Sequence, residues 1–163
     1  MFPTINWNLF SLELFITLII VSLIIVDMML PKETKKDWIG TLSFSGLLLL
    51  IGFWFLKGNV TGTTFSGMFV SDSLSWFFKG FFLVTMIFVF VMTQQFFKSL
   101  AKRRYDFYLL LWLALFGMCL IASSADFLVL FISLEILTIS LYVMTAYLKS
   151  DKHSIEAGMK YLI

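Results

Sequence analysis

The chain holds five apolar runs, each close to the ~20 residues that a helix needs to cross the ~30 Å hydrocarbon core of a bilayer. They extend over residues 9–30, 38–56, 74–97, 107–125 and 126–148. Pro31 stops the first run. The second and fourth hold no charge, Lys79 interrupts the third, and Glu135 lies inside the fifth. Lipid offers no hydrogen bonds to the backbone, so a spanning segment is either a helix or a strand of a closed barrel. Barrel strands alternate in polarity and these runs do not. The sequence therefore predicts an all-α integral membrane bundle of five helices, forming a single transmembrane domain over residues 1–163, with a sixth helix beginning at Ser154.

Composition agrees and narrows the function. Only 13% of residues are charged, against a hydrophobic share of 60% and a mean hydropathy of +0.96, so no soluble domain is left over. A net charge of +2 gives no argument for a nucleic-acid partner, and the lipid bilayer is the partner that this balance implies. Cys119 is the only cysteine and His153 the only histidine, which leaves no internal disulfide and a poor basis for a metal site. No Lys or Arg precedes the first apolar run, so the N-terminus does not read as a signal peptide.

The linkers set the expected orientation. PKETKK, KSLAKRR and LKSDK follow the first, third and fifth runs and carry nine basic residues, against Lys57 alone on the opposite side. The positive-inside rule then places linkers 31–37, 98–106 and 149–153 in the cytoplasm and the N-terminus outside. Trp7, Trp54 and Trp76 fall near the outer interface and Trp38 near the inner one, whereas Trp112 lies too deep for an aromatic belt. The outer linker KGNVTGTTFSGMFVSD reads as a possible short hairpin of weak alternation.

The charges inside the runs are not equivalent. Glu13 and Asp27 sit near the two ends of the first run and read as interfacial, with no special role. Lys79 is about a turn and a half inside its run, so its stem is expected to snorkel outward, with Asp72 seven residues back on the same face. His153 reads as solvated. Glu135 is only two residues from the middle of its run, and its side chain is too short to reach the interface. An acid at the centre of a spanning helix costs ~3 kcal/mol on insertion scales, and such acids are functional by default. The bland alternative is a polar clamp between helices. Thr138, Tyr142, Thr145 and Lys149 share its face on the C-terminal side, and on the N-terminal side the same face holds Leu128, Phe131 and Ile132. This supporting polar stripe, Thr138 and Tyr142 above all, is expected to hydrate Glu135 from the cytoplasm.

DSLSWFFK (72–79), LLLWLALFGMCLIASSADFLVLFISLEILTISLYVMTAY (109–147) and SIEAGMKYLI (154–163) together resemble the antiporter-like membrane subunits of respiratory complex I, the NADH–quinone oxidoreductases. The resemblance is clear over residues 70–163 and rests on hydropathy alone before that. It implies proton translocation coupled to quinone reduction, as a non-redox subunit of a translocase with no catalytic site of its own. Glu135 matches the fifth-helix glutamate that pairs with a lysine on a later helix in this family, and Lys160 matches a lysine often found there. No cofactor is expected in this chain, since NADH and quinone are used by the whole complex, and the expected partners are the other membrane-arm subunits. Two alternatives stay open: a subunit of a Mrp-type cation/proton antiporter or membrane-bound hydrogenase, and a small structural membrane protein. In the last ten residues Ser154 reads as a helix cap and Glu156 with Lys160 as an i,i+4 pair. Because that helix is too short to cross, the chain is expected to be the N-terminal portion of a longer subunit.

Overall fold

The computed structural model describes residues 5–29, 35–99, 105–148 and 151–162. Its helices are α1 (Ser11–Met29), α2 (Lys35–Lys57), α3 (Ser73–Ser99), α4 (Tyr105–Ser123), α5 (Phe127–Thr145) and α6 (Lys152–Leu162). The first five are long and apolar enough to span a membrane, as the five runs predict. Trp38 and the basic residues of linkers 31–34 and 100–104 lie outside the residues whose side chains are described.

Between α2 and α3 the chain forms an antiparallel hairpin, β1 (Gly62–Thr64) with β2 (Phe69–Ser71), in the register Gly62–Ser71, Thr63–Val70 and Thr64–Phe69. Phe65 and Ser66 both adopt positive φ, 54° and 57°, before Gly67 at 89°. Two consecutive non-glycine residues in that region are strained. The Phe65 ring is anchored edge-on against Phe10, with centroids 5.3 Å apart. The hairpin ties one end of the bundle together. The Asn6 amide donates to Thr64 Oγ1 (3.0 Å), and the Ala125 amide donates to the Met68 carbonyl (2.9 Å).

Helix α4 is the wall on which the others assemble, and it packs against α1, α2, α3 and α5. Its Tyr108, Leu111, Trp112, Leu115 and Cys119 are all buried. This explains why Trp112 does not fit a belt: its indole is fully enclosed, edge-on to Phe90 at 6.0 Å. Lipid tails are as apolar as leucine, so close packing rather than escape from water selects these faces. On α3 the buried side chains Ser75, Lys79, Leu83, Met86, Phe90, Thr93 and Phe97 form a stripe stepping by three or four, with Gly80 buried beside it.

The α4–α5 crossing depends on a small residue. A Cβ at Gly117 would lie 3.0 Å from the Leu137 amide nitrogen and 3.0 Å from the Ser133 carbonyl oxygen, both backbone atoms that cannot yield separately. Ser133 and Ser140 sit in the same seam and satisfy their hydroxyls on the Val129 and Ile136 carbonyls, at 2.6 and 2.7 Å. Gly117→Val is expected to lower stability by ~1–3 kcal/mol, the usual range for overpacking. A thermal melt of the detergent-solubilised protein checks this, and an unchanged midpoint would mean that the helices separate freely here.

The start of α6 differs from the expectation. Asp151, not Ser154, caps it: the His153 amide donates to Asp151 Oδ1 at 3.1 Å. The Ser154 hydroxyl instead donates to the Thr145 carbonyl (2.8 Å) and accepts from the Leu148 amide (3.3 Å), which fastens α6 to the end of α5. Asp151 stands immediately before the first helical residue, where its carboxylate reaches the free amides, and the serine, already inside the first turn, is left for the tertiary contact. The expected Glu156–Lys160 pair forms at 2.7 Å.

Candidate functional site

The deepest charges lie near the hairpin end. Glu13, third residue of α1, is fully buried, and Lys79 of α3 is 5% exposed. Lys79 Nζ is 2.6 Å from Glu13 Oε1. This corrects both expectations drawn from the sequence: Glu13 does not reach the headgroups, and Lys79 does not snorkel. Lys79 belongs to the buried stripe of α3 with Ser75 and Leu83, and Glu13 lies between the buried Leu12 and Ile16 of α1. Helical phase therefore points each into the bundle, where pairing offsets the large loss of hydration. Asp72, the expected partner of Lys79, instead accepts from the Ser75 amide (2.7 Å) in the first turn of α3.

Aromatic and cationic groups surround the pair. Lys79 Nζ stands 5.0 Å from the centroid of Phe69 in β2, within cation–π range. Phe69 is itself enclosed and lies edge-on to Phe10 at 5.3 Å. Lys57, the last residue of α2, donates a long hydrogen bond to the Leu9 carbonyl at 3.5 Å. Trp54 and Trp76 stack 4.3 Å apart beside it. The phase of Lys79 with Ser75, Leu83 and Met86 is the signal that could have found this site. Proximity to a helix end outweighed it.

Glu135 occupies the opposite kind of place. It is on α5, among the exposed Phe131, Ile132, Leu134 and Ile139, on the face turned away from α4. Among the described residues it forms no ion pair. Thr138 Oγ1 donates to the Glu135 carbonyl (3.3 Å) and Thr145 Oγ1 to the Tyr142 carbonyl (2.8 Å), so both hydroxyls bond back to their own helix. The Tyr142 ring meets Tyr161 of α6 edge-on at 5.2 Å. Lys149 lies outside the described residues. Lys160 projects from α6 with 74% of its side chain exposed, held to Glu156. The structure thus keeps Glu135, Thr138 and Tyr142 along one helix and sets Lys160 apart from them in an ion pair of its own.

These features define a polytopic α-helical membrane bundle with, among the described residues, one buried ion pair and one open acidic face. The same fold occurs in a chain of respiratory complex I from Thermus thermophilus, solved with bound aureothin: the TM-score is 0.74 at 22% identity, over 93% of this chain and 32% of that one. No family model matches the sequence. Relatives are nevertheless plain. Subunit N of NADH-quinone oxidoreductase from Desulfitobacterium hafniense is 32% identical over 158 residues, covering 96% of this chain and 32% of that protein. The Heliobacterium modesticaldum subunit N is 29% identical over 97% of this chain and 34% of its own length. NAD(P)H-quinone oxidoreductase subunit 2 of a Nostoc species is 32% identical over 88% of this chain and 28% of its own length. The chain is homologous to subunit N of NADH-quinone oxidoreductase over nearly all its residues, and it spans about a third of the length of the curated relatives it matches.

Proposed function

We propose that the chain serves in the membrane arm of a bacterial NADH–quinone oxidoreductase and takes part in proton translocation, with Glu135 as the proton-carrying group of α5. The observation that carries this is the position of Glu135: an acid near the middle of a spanning helix, on a face that its own bundle leaves uncovered. Homology to subunit N supports the assignment to that complex. On this reading the open face of α5 meets protein carrying a cation rather than lipid, since an unpaired carboxylate in hydrocarbon would simply take up a proton. Thr138 and Tyr142 extend the polar surface from Glu135 toward the α6 end, and Lys160 stands at that end as a further proton-exchanging group. The chain itself carries no redox cofactor on this reading, NADH and quinone being handled elsewhere in the complex, and its neighbours are the other membrane-arm subunits.

The orientation belongs to the same proposal: N-terminus and hairpin outside, linkers 31–37, 98–106 and 149–153 in the cytoplasm of a bacterial cell. Single cysteines placed at 61–67 should react with a membrane-impermeant maleimide in intact cells, and cysteines at 100–104 should react only after lysis. The reverse pattern would invert the bundle. Deleting the gene should abolish proton pumping driven by NADH oxidation in sealed membrane vesicles, and retention of full pumping would reject the assignment.

A further inference from the structure

The role proposed for Glu135 leaves the ion pair at the hairpin end unused. Among the described residues Lys79 is the only polar partner of the Glu13 carboxylate, and neither Glu13 oxygen accepts a hydrogen bond from another of them. A carboxylate has about four acceptor positions. Lys79 also borders a cavity of about 20 Å³, together with Lys57, Leu9, Ser71, Trp54 and Trp76. A single water needs ~10–15 Å³ and two to four polar partners. The two ammonium groups and the Ser71 hydroxyl provide them. The indole Nε1 atoms of Trp54 and Trp76, both buried without a hydrogen-bond acceptor, add two more donors on this wall.

We propose that Glu13, Lys79 and Lys57, with one water held between the two lysines, form a proton-loading site at the hairpin end of the bundle, separate from Glu135. The step is balanced. The Lys79 ammonium gives a proton to the Glu13 carboxylate across their 2.6 Å contact, leaving a neutral amine and a carboxylic acid. The amine then takes a proton from the cavity water, which takes one from the Lys57 ammonium. Lys57, partly buried at the end of α2, regains its proton from bulk water. One proton has moved from the aqueous side onto Glu13, and the reverse sequence releases it. Among the described residues, Lys57 from α2 and Cys119 from α4 are titratable groups in electrostatic reach of the pair. Cys119 is wholly buried and Phe69 adds only its uncharged ring, so Lys57 is the aqueous connection.

The proposal rests on the membrane-arm reading for its pumping readout alone. In the intact complex, the double variant Glu13→Leu with Lys79→Met removes both charges at similar volume, so a mere clamp would be replaced without loss. It should assemble and pump about a hundredfold less, the low end of what a positioned proton-transfer group contributes. Wild-type pumping by an assembled double variant would overturn the proposal. Should the double variant not assemble, Lys57→Gln, outside the packed core, should shift the pH profile of pumping, and an unshifted profile would overturn the site equally. Infrared difference spectra of the purified native complex across pH, in H2O and D2O, should show a carboxyl band that is lost in Glu13→Gln. A band set indifferent to that substitution also sinks the idea. If the native complex does not pump at all, the proposed function fails, and the infrared band decides this site by itself.

Discussion

Glu135→Gln should assemble normally and transfer protons at least ~tenfold more slowly. The amide keeps the size and hydrogen-bonding reach of the acid but cannot exchange a proton. Glu135 packs against nothing that the fold requires: it is on the uncovered face of α5, while Ser133 and Ser140 make the seam with α4. Folding and function are therefore separable at this residue. Glu135→Asp retains the acid on a shorter stem and should keep part of the activity. Proton uptake by sealed vesicles, normalised to the amount of assembled complex, is the measurement. Normal pumping by the glutamine variant would remove Glu135 from the pathway.

Lys79→Met alone should be among the most damaging single substitutions for stability. It leaves Glu13, fully enclosed in α1, without its one contact. Removing one partner of a buried pair typically costs about 3–5 kcal/mol, whereas replacing both with apolar residues is often neutral or better. Adding Glu13→Leu to Lys79→Met should thus recover most of the lost thermal stability in detergent. Stability then recovers from the single to the double variant while proton loading stays lost. If the single variant melted with the wild type, the pair would be open to water rather than sealed.

Much of this architecture can be read from the sequence, because a spanning helix has a length fixed by the bilayer. The run at 9–30 became α1 at Ser11–Met29, and the run at 126–148 became α5 at Phe127–Thr145. What could not be read was which helices meet. Glu13 and Lys79 are 66 positions apart and each sits near a helix end, where the interface is the ordinary explanation. Only the docking of α1 and α3 on α4, under a hairpin held to the α4–α5 turn, seals that end and turns two interfacial charges into a buried pair. The acid at 135 was visible because no interface lies within its reach. Its orientation was not, since α5 is apolar on every side and periodicity cannot say which face α4 takes. The small residues Ser133 and Ser140, seven apart, mark that face once the crossing is known.

The central place of α4 has a consequence for biogenesis. Ribosomes deliver α1, α2 and α3 to the membrane before α4 exists, and α4 is the helix on which all three bury their stripes. Helices insert first and associate afterward. Until residue 123 has left the ribosome, Glu13 and Lys79 would wait near the membrane surface, each still hydrated, with the hairpin held by Asn6 and Phe10 alone. Arrival of α4 and the Ala125–Met68 hydrogen bond would then draw both charges inward together. Nascent chains stalled before α4 should accordingly remain sensitive to protease at the hairpin and become resistant once α4 and the turn after it have been inserted.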